Sequence, residues 1–170
     1  FVFIIFMLVI IVGSIFYISS KKRYMRWLHA QVYLDTLTGL ANRLKFNEVY
    51  ENLFIQGIPF ALLIIDLDHF KDINDVYGHD VGDKYLIEAS KRMQSCIRQS
   101  DLLSRLGGDE FTVIVEHFKG NDNLLMIVDK LTISLANAYS IDGHEIIGSG
   151  SIGISIFPDD GLASQELFSH

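Results

Sequence analysis

At 170 residues, the chain has room for one domain and a short extra segment, and it is too short for two domains of typical size. Because it has only 2 Pro and no repetitive tract, it fits neither the disordered nor the fibrous classes, and its single Cys cannot form an internal disulfide. Residues 1–34 contain four basic residues and no acidic one. Because the whole chain has a net charge of −7, the remaining residues carry a net charge of −11. This acidic part of the chain argues against a nucleic-acid partner, because binding a phosphate backbone requires clustered Lys and Arg.

The first segment, residues 1–18, is apolar at all but two positions. As a helix, 18 residues extend about 27 Å, close to the roughly 30 Å hydrocarbon core of a bilayer. Basic residues at 21–23 follow at once, and by the positive-inside rule they predict that the rest of the chain is cytoplasmic. We therefore expect one transmembrane helix over 1–18, cut at its start. The alternative is a buried core helix.

Residues 19–36 are expected to form a linker helix between this segment and the following domain. The apolar side chains recur at a loose spacing of three to four residues, among them Tyr24, Leu28 and Val32. Such a spacing also fits a short coiled coil between two chains, which would serve a signalling function.

The remaining residues, 37–170, follow the pattern of a compact α/β domain. Continuous apolar runs predict strands buried on both faces, alternation predicts a half-buried strand, and three-to-four spacing predicts helices. The predicted segments are a helix between Asn42 and Gly57, a strand at 60–65, a helix at about 80–98, strands at 102–106 and 111–115, a helix at about 124–138 and a strand at 151–156. This order favours a mixed sheet flanked by helices over a repeated βαβ winding.

The end of the strand at 60–65 carries the first group of residues suited to chemistry. Asp66 and Asp68 are two apart, so they point to the same face if the strand continues. Carboxylates beside a buried strand are costly unless a cation or hydrogen-bond donors compensate them, and hard oxygen ligands suit Mg²⁺. The alternative is that these residues only cap the next turn.

Two glycine-bearing segments form the other groups. In RLGGDEF (105–111), a double glycine precedes two carboxylates at a predicted hairpin turn. In YGHDVGD (77–83), two glycines lie at the start of a helix. An ordinary turn and a helix-entry loop capped by Asp80 or Asp83 are the alternatives. If these groups converge, their repulsion is relieved by a metal-bound polyphosphate, for which Lys71 is the nearest cation.

The residues alone therefore indicate Mg²⁺-dependent chemistry on a nucleotide. Other site classes lack their signatures: there is no GxxxxGK[ST], no GxGxxG after a strand, no zinc-ligand spacing and no GxSxG.

Four segments in this order resemble the GGDEF family of diguanylate cyclases: DTLTGLANR (35–43), DLDHFKDINDVYGHDVGD (66–83), RLGGDEF (105–111) and SIGIS (151–155). The resemblance implies a fold like the nucleotidyl cyclases and the palm of polymerases. It also implies a nucleotidyltransferase that condenses two GTP into cyclic di-GMP and releases pyrophosphate. Each subunit of a homodimer would hold one GTP, and the protein would lie in a bacterial inner membrane with this domain in the cytoplasm.

The resemblance also assigns the metal and the catalytic groups, residue by residue. Asp66, the backbone carbonyl of Leu67 and Asp109 correspond to the ligands of Mg²⁺ or Mn²⁺. Lys71 corresponds to the group that stabilises charge on the phosphate oxygens. Asp109 or Glu110 would help to remove the proton of the 3′-hydroxyl.

The substrate and product contacts follow from the same resemblance. The residues that would contact the substrate are Asn74 and Asp83 as guanine readers, with His79, Gly107 and Gly108. Arg98 and Asp101 form an RxxD pair five residues before Gly107, which in the family marks an inhibitory site for the product.

Two departures and two alternatives accompany this assignment. Leu44 stands where many relatives have a second Arg, and little effect is expected from it. After His170, the resemblance implies a further helix whose Lys and Arg contact the triphosphate, so that the chain without it is expected to bind GTP weakly. One alternative is a catalytically silent domain that binds GTP or cyclic di-GMP. The other is a cyclase with a mononucleotide product.

Overall fold

The computed structural model describes residue 7 and residues 13–22, 32–118 and 120–161. The chain divides into two compact units, Phe1–Leu34 and Asp35–His170. In the first unit, residues 13–22 are helical and exposed. Most of the expected membrane segment and half of the expected linker helix lie outside the described residues. Within the described ranges, no helix combines the length and apolarity needed to cross a bilayer.

The second unit contains a run of helices and strands that begins at Ala41. In chain order they are β1 (Ala41–Asn42), α1 (Arg43–Gln56), β2 (Phe60–Leu67), α2 (Phe70–Tyr77), α3 (His79–Cys96), β3 (Leu102–Gly107), β4 (Glu110–Glu116), α4 (Asn121–Ala136), β5 (Tyr139–Ile141), β6 (His144–Ile146) and β7 (Gly150–Phe157).

Five strands form one mixed sheet in the order β1-β3-β4-β2-β7. The pair β1–β3 is parallel, whereas β3–β4, β4–β2 and β2–β7 are antiparallel. The strands β5 and β6 form a separate antiparallel hairpin. The predicted mixed α/β architecture with a central sheet is therefore confirmed.

Both faces of β2 are buried, as its continuous apolar run predicts. Leu63 and Ile65 belong to a core cluster with Met93 of α3 and Leu131 of α4. The intervening side chains point to the opposite face, where Phe60 packs with aromatic residues of α1. The strand β2 is thus fixed between two helical layers, and its carboxyl end is held in a defined place.

The helix α1 has the ends that its sequence predicts. The side chain of Asn42 accepts a hydrogen bond from the Lys45 N–H at 3.1 Å, which caps the first turn. Gly57 adopts a left-handed conformation with φ of 65° and donates its N–H to the Phe54 carbonyl.

Two parts of the fold differ from the predicted order. The helix α2 was not predicted, although Phe70, Ile73 and Tyr77 recur at helical spacing, because eight residues are fewer than the window over which an apolar period can be recognised. The β5–β6 hairpin was not predicted either, since each of its strands has three residues. Both lie beside the carboxyl end of β2 in sequence or in space, where the candidate site residues are found.

Candidate active site

The end of β2 and the turn between β3 and β4 meet at the edge of the sheet. Asp66 lies opposite Glu110 in the antiparallel β2–β4 register. The Leu67 N–H donates a hydrogen bond to the Asp109 carbonyl at 3.3 Å. The structure thus brings Asp109 beside Asp66 and Leu67, which precede it by more than forty positions in the sequence.

This meeting point concentrates negative charge. Burial raises the pKa of the Asp66 carboxyl above its ordinary value. The carboxylates that raise it further by repulsion are, in order, those of Asp109, Glu110 and Asp68. A cation bound at this edge would reverse the effect, because an opposite charge favours the ionised carboxyl.

The donor set at this edge suits a hard cation. Two carboxylates, of Asp66 and Asp109, and the Leu67 carbonyl are oxygen ligands of the kind that Mg²⁺ prefers. Among the described residues, no three His, Cys, Asp or Glu side chains form a metal-binding group. A site here would therefore depend on the backbone oxygen as well as on the two side chains, and a bound nucleotide would complete it.

Arg105 holds the double-glycine turn from the strand that precedes it. Its Nε and Nη2 donate to the Gly108 carbonyl at 2.9 and 2.8 Å, and its Nη1 donates to Asp35 Oδ1 at 3.0 Å. Gly108 has a φ of 53°, in the left-handed region that favours glycine. Sequence reasoning assigned no role to Arg105, because nothing in its local pattern indicates a partner seventy residues away.

A second arginine contacts the same turn from α1. Arg43 donates from Nε to the Leu106 carbonyl at 3.1 Å, and its Nη2 lies 3.4 Å from Glu110 Oε2. Both side chains of the ion pair are more than half exposed, so the pair contributes at most about 1 kcal/mol.

The predicted guanine readers lie on two adjoining helices. Asn74 belongs to α2, and Asp83 belongs to α3, next to Gly82. A Cβ atom on Gly82 would lie 2.0 Å from the Asn74 Oδ1, so the absence of a side chain at Gly82 lets the Asn74 amide lie directly on α3. The structure therefore places Asn74 against Gly82, the residue before Asp83, while His79 and Lys71 are exposed on the first turns of α3 and α2.

Asp68 does not share a strand face with Asp66, because β2 ends at Leu67. Its carboxylate accepts hydrogen bonds from Ser149 Oγ at 2.6 Å and from Ser151 Oγ at 2.8 Å. These two hydroxyls lower its pKa below the ordinary value. The sequence offered Asp68 as a possible partner of Asp66 at a metal, and the structure ties it to the start of β7 instead.

The RxxD pair lies between α3 and β3. Asp101 is buried, and its Oδ2 accepts the Arg98 backbone N–H at 2.9 Å. Its Oδ1 has no hydrogen-bond partner among the described residues. The exposed Arg98 guanidinium lies 3.5 Å from the Asn123 side chain of α4, a neighbour that the sequence did not indicate.

Comparison with known proteins shows what this arrangement is similar to. A family model described as "Diguanylate cyclase, GGDEF domain" matches residues 32–170. The bifunctional diguanylate cyclase/cyclic di-GMP phosphodiesterase MucR of Pseudomonas aeruginosa is 40% identical over 153 residues, which cover 88% of this chain and 22% of MucR. The cyclic di-GMP phosphodiesterase NbdA of the same species is 38% identical over 140 residues, which cover 80% of this chain and 18% of NbdA. The chain thus spans about a fifth of the length of these curated relatives.

A solved structure supports the same relationship. The GGDEF domain of TpbB (YfiN) from Pseudomonas aeruginosa aligns with a TM-score of 0.73 and 33% identity, covering 81% of this chain and 83% of the other. The family match covers most of the chain, and the relatives exceed 30% identity over most of its length. The chain therefore belongs to the GGDEF family of diguanylate cyclases.

Proposed function

We propose that this domain is a diguanylate cyclase that condenses two GTP into cyclic di-GMP. The observation that supports this most directly is the hydrogen bond between Leu67 and Asp109, which joins the two predicted metal-binding segments. The family match and the printed activity of MucR point to the same reaction. In each of the two condensations, a 3′-hydroxyl oxygen bonds to the α-phosphorus of the other GTP, and the bond to pyrophosphate breaks.

The metal ligands in this proposal are Asp66, the Leu67 carbonyl and Asp109, holding Mg²⁺ or Mn²⁺. When bound, the cation would neutralise phosphate charge and lower the pKa of the attacking hydroxyl. Asp109 or Glu110 would accept the hydroxyl proton. Because Asp66 already experiences the charge of both, the unloaded site favours a cation over a further anion.

Substrate recognition in this proposal depends on the α2–α3 pair. Asp83 would accept the N–H donors on the Watson–Crick edge of guanine, and adenine does not present that donor pair. Asn74, positioned on Gly82, would read the same base. His79 would contact the substrate, Lys71 would bind phosphate oxygens as a point charge, and Gly107 and Gly108 would let the backbone lie against the nucleotide.

Three further features complete the proposal. Residues 1–18 would anchor the protein in a bacterial inner membrane, with this domain on the cytoplasmic side, on the basis of their apolar run and the basic residues after it. Two copies of the chain would each hold one GTP. Cyclic di-GMP would inhibit through Arg98 and Asp101, and the exposed Arg98 guanidinium supports this assignment because it is open to an anionic ligand.

A catalytically silent GGDEF domain that binds GTP or cyclic di-GMP is the second candidate. The observation that favours this candidate is the name of NbdA, which is 38% identical to this chain and is named for phosphodiesterase activity alone. Against this reading, a domain that only binds nucleotide has no need of paired carboxylates at the edge of the sheet, and here Asp66 and Asp109 are both present.

The deciding experiment supplies GTP and Mg²⁺ to the purified full-length protein and identifies the product by mass spectrometry. We expect cyclic di-GMP from the wild type, and at least a hundredfold less from Asp109→Asn. Asp122→Asn, an exposed carboxylate on α4, is the matched control and should retain wild-type activity. Tight cyclic di-GMP binding without turnover would favour the catalytically silent binding domain. A cyclic mononucleotide as the product would instead identify a cyclase with a mononucleotide product.

A further inference from the structure

The turn between β2 and α2 consists of two residues, Asp68 and His69. His69 has a φ of 59°, in the left-handed region that a side chain disfavours, and it forms no side-chain cap on α2. Such a conformation persists only where the surrounding structure holds it. The turn also fixes where Leu67 directs its carbonyl, because Leu67 is the residue immediately before it.

Three hydrogen bonds tie this turn to the segment at the start of β7. The Asp68 N–H donates to the Ser149 carbonyl at 3.1 Å. The Ser149 and Ser151 hydroxyls donate to the two carboxylate oxygens of Asp68 at 2.6 and 2.8 Å. Hydrogen bonds to an ionised acceptor are among the stronger ones in proteins. We call these three residues the serine clamp.

The serine clamp lies directly beside the proposed metal ligands. In the β2–β7 register, Ser151 is opposite Asp66 and Gly150 is opposite Leu67. On the other side of β2, Leu67 is bonded to Asp109. The end of β2 is therefore held from both neighbouring strands, on one side by the clamp and on the other by the double-glycine turn.

The support under the clamp is rigid because it is part of the core. A Cβ atom on Gly148 would lie 2.1 Å from the Tyr85 hydroxyl, so the backbone before Ser149 lies directly on that buried side chain. The Tyr85 ring also stacks on Phe70, the first residue of α2, with centroids 6.2 Å apart. One buried tyrosine of α3 thus supports both segments that the clamp joins.

We propose that Asp68, Ser149 and Ser151 are positioning residues for the metal site, and that they act by fixing the direction of the Leu67 carbonyl and of Asp66. The proposal rests on the proposed function. Replacing a residue that holds a metal ligand in place, without itself touching the metal, commonly lowers metal affinity by about 10- to 100-fold. The same range is expected here, since the two serine hydroxyls are the side-chain donors to Asp68.

The test replaces both hydroxyls in Ser149→Ala/Ser151→Ala and measures Mn²⁺ binding by electron paramagnetic resonance. The full-length protein is titrated in the presence of 3′-deoxyGTP, which lacks the reacting hydroxyl. We expect Mn²⁺ affinity to fall by about 10- to 100-fold. In parallel, the Mg²⁺ concentration for half-maximal cyclic di-GMP formation should rise by a similar factor, while the rate at saturating Mg²⁺ stays within about threefold of the wild type.

Ser155→Ala is the matched control, because Ser155 lies on the same strand, is buried and has no side-chain partner among the described residues. It should leave Mn²⁺ affinity unchanged. Ser149→Thr/Ser151→Thr, which keeps both hydroxyls, should restore most of the affinity. If the alanine variant does not fold, Asp68→Asn, which keeps the size of the side chain and removes an acceptor oxygen, replaces it.

Two outcomes overturn different statements. Wild-type Mn²⁺ affinity in the folded alanine variant or in folded Asp68→Asn would overturn the positioning role and leave the proposed function intact. Wild-type protein that neither binds Mn²⁺ nor forms cyclic di-GMP would overturn the proposed function itself.

Discussion

Arg105 connects Asp35 to the Gly108 carbonyl through a single guanidinium group. Its contact with Asp35 measures 3.0 Å, and the two side chains are 11% and 22% exposed, so water screens this ion pair less than an exposed one. Asp35 also accepts the Thr38 N–H and hydroxyl at 2.9 and 2.7 Å. The segment that opens the second unit is thereby joined to the turn that presents Asp109.

Removing Arg105 is expected to damage both stability and catalysis. Arg105→Ala leaves the shielded Asp35 carboxylate without its cation and the Gly108 carbonyl without two donors, so the free energy of unfolding should fall by about 2–4 kcal/mol. Cyclic di-GMP formation should fall more than tenfold at a temperature where the variant is folded, because the turn carrying Asp109 is no longer held. Urea unfolding and a rate assay measure the two effects.

Arg43→Ala is the matched comparison, since Arg43 also contacts this turn but its ion pair with Glu110 is exposed. It should cost less than about 1 kcal/mol. Equal losses from the two variants would contradict the view that burial makes Arg105 the stronger support.

The contribution of Asp35 should depend on pH in a defined direction. Burial alone would raise its pKa, but the hydrogen bonds from Thr38 and the charge of Arg105 outweigh burial, so the pKa of Asp35 lies below the ordinary 3.8. The ionised form therefore stabilises the fold above about pH 4, and this stabilisation is lost as the pH falls through the lowered pKa.

Asp35→Asn tests this direction. The difference in free energy of unfolding between wild type and variant should be largest near neutral pH and should shrink at about pH 3 and below. Urea unfolding curves at both pH values measure it. A difference that stays constant or grows on acidification would show that the carboxylate charge is not the stabilising feature.

Gly82 is expected to determine GTP affinity through Asn74. In Gly82→Ala, the new Cβ meets the end of a side chain rather than backbone, so Asn74 moves and the helix itself is not strained. Alanine also favours a helix interior by about 1 kcal/mol over glycine. We expect unchanged or slightly raised thermal stability together with about a tenfold increase in the KM for GTP.

Asn74→Ala should give the same KM change, and the double variant should be no worse than either single one, because both remove one interaction. Additive losses would mean that Gly82 acts on the site by another route. A normal KM in Asn74→Ala would remove Asn74 from the set of guanine readers.

Features set by neighbouring residues were predictable from the sequence. The ends of α1 follow from Asn42 and Gly57, whose effects are local, and β2 follows from an uninterrupted apolar run. The helix α2 did not follow, since its eight residues are fewer than the window over which an apolar period can be recognised. The position of a short helix or strand is determined by its tertiary contacts, and these are not evident from the local sequence.

The same distinction applies to the site. Asp66 and Asp109 were selected because each lies in a recognisable local pattern of carboxylates and glycines. The partners that hold them are distant along the chain: Arg105 contacts Asp35, and Asp68 contacts Ser149. Those contacts depend on strand register, so they became visible only once the sheet order was known.

The product-inhibition assignment leads to a prediction that separates Arg98 from Asp101. The Arg98 guanidinium is exposed, whereas Asp101 is 6% exposed and accepts the Arg98 backbone N–H. Arg98→Ala should therefore leave the fold intact and raise activity at high cyclic di-GMP concentration, because the group that would grip the product is removed. Asp101→Ala should also destabilise the α3–β3 connection by about 1–2 kcal/mol, since the Arg98 N–H loses its acceptor.

Initial rates measured against increasing cyclic di-GMP give the inhibition constant, and isothermal titration gives product affinity directly. For Arg98→Ala, the inhibition constant should rise at least tenfold and the affinity for cyclic di-GMP should fall by a similar factor, while the rate without product is unchanged. Lys91→Ala, an exposed basic residue on α3, is the control for the loss of one positive charge. If inhibition of Arg98→Ala matches that of the wild type, the RxxD pair has only the turn-capping role that the Asp101 hydrogen bond already gives it.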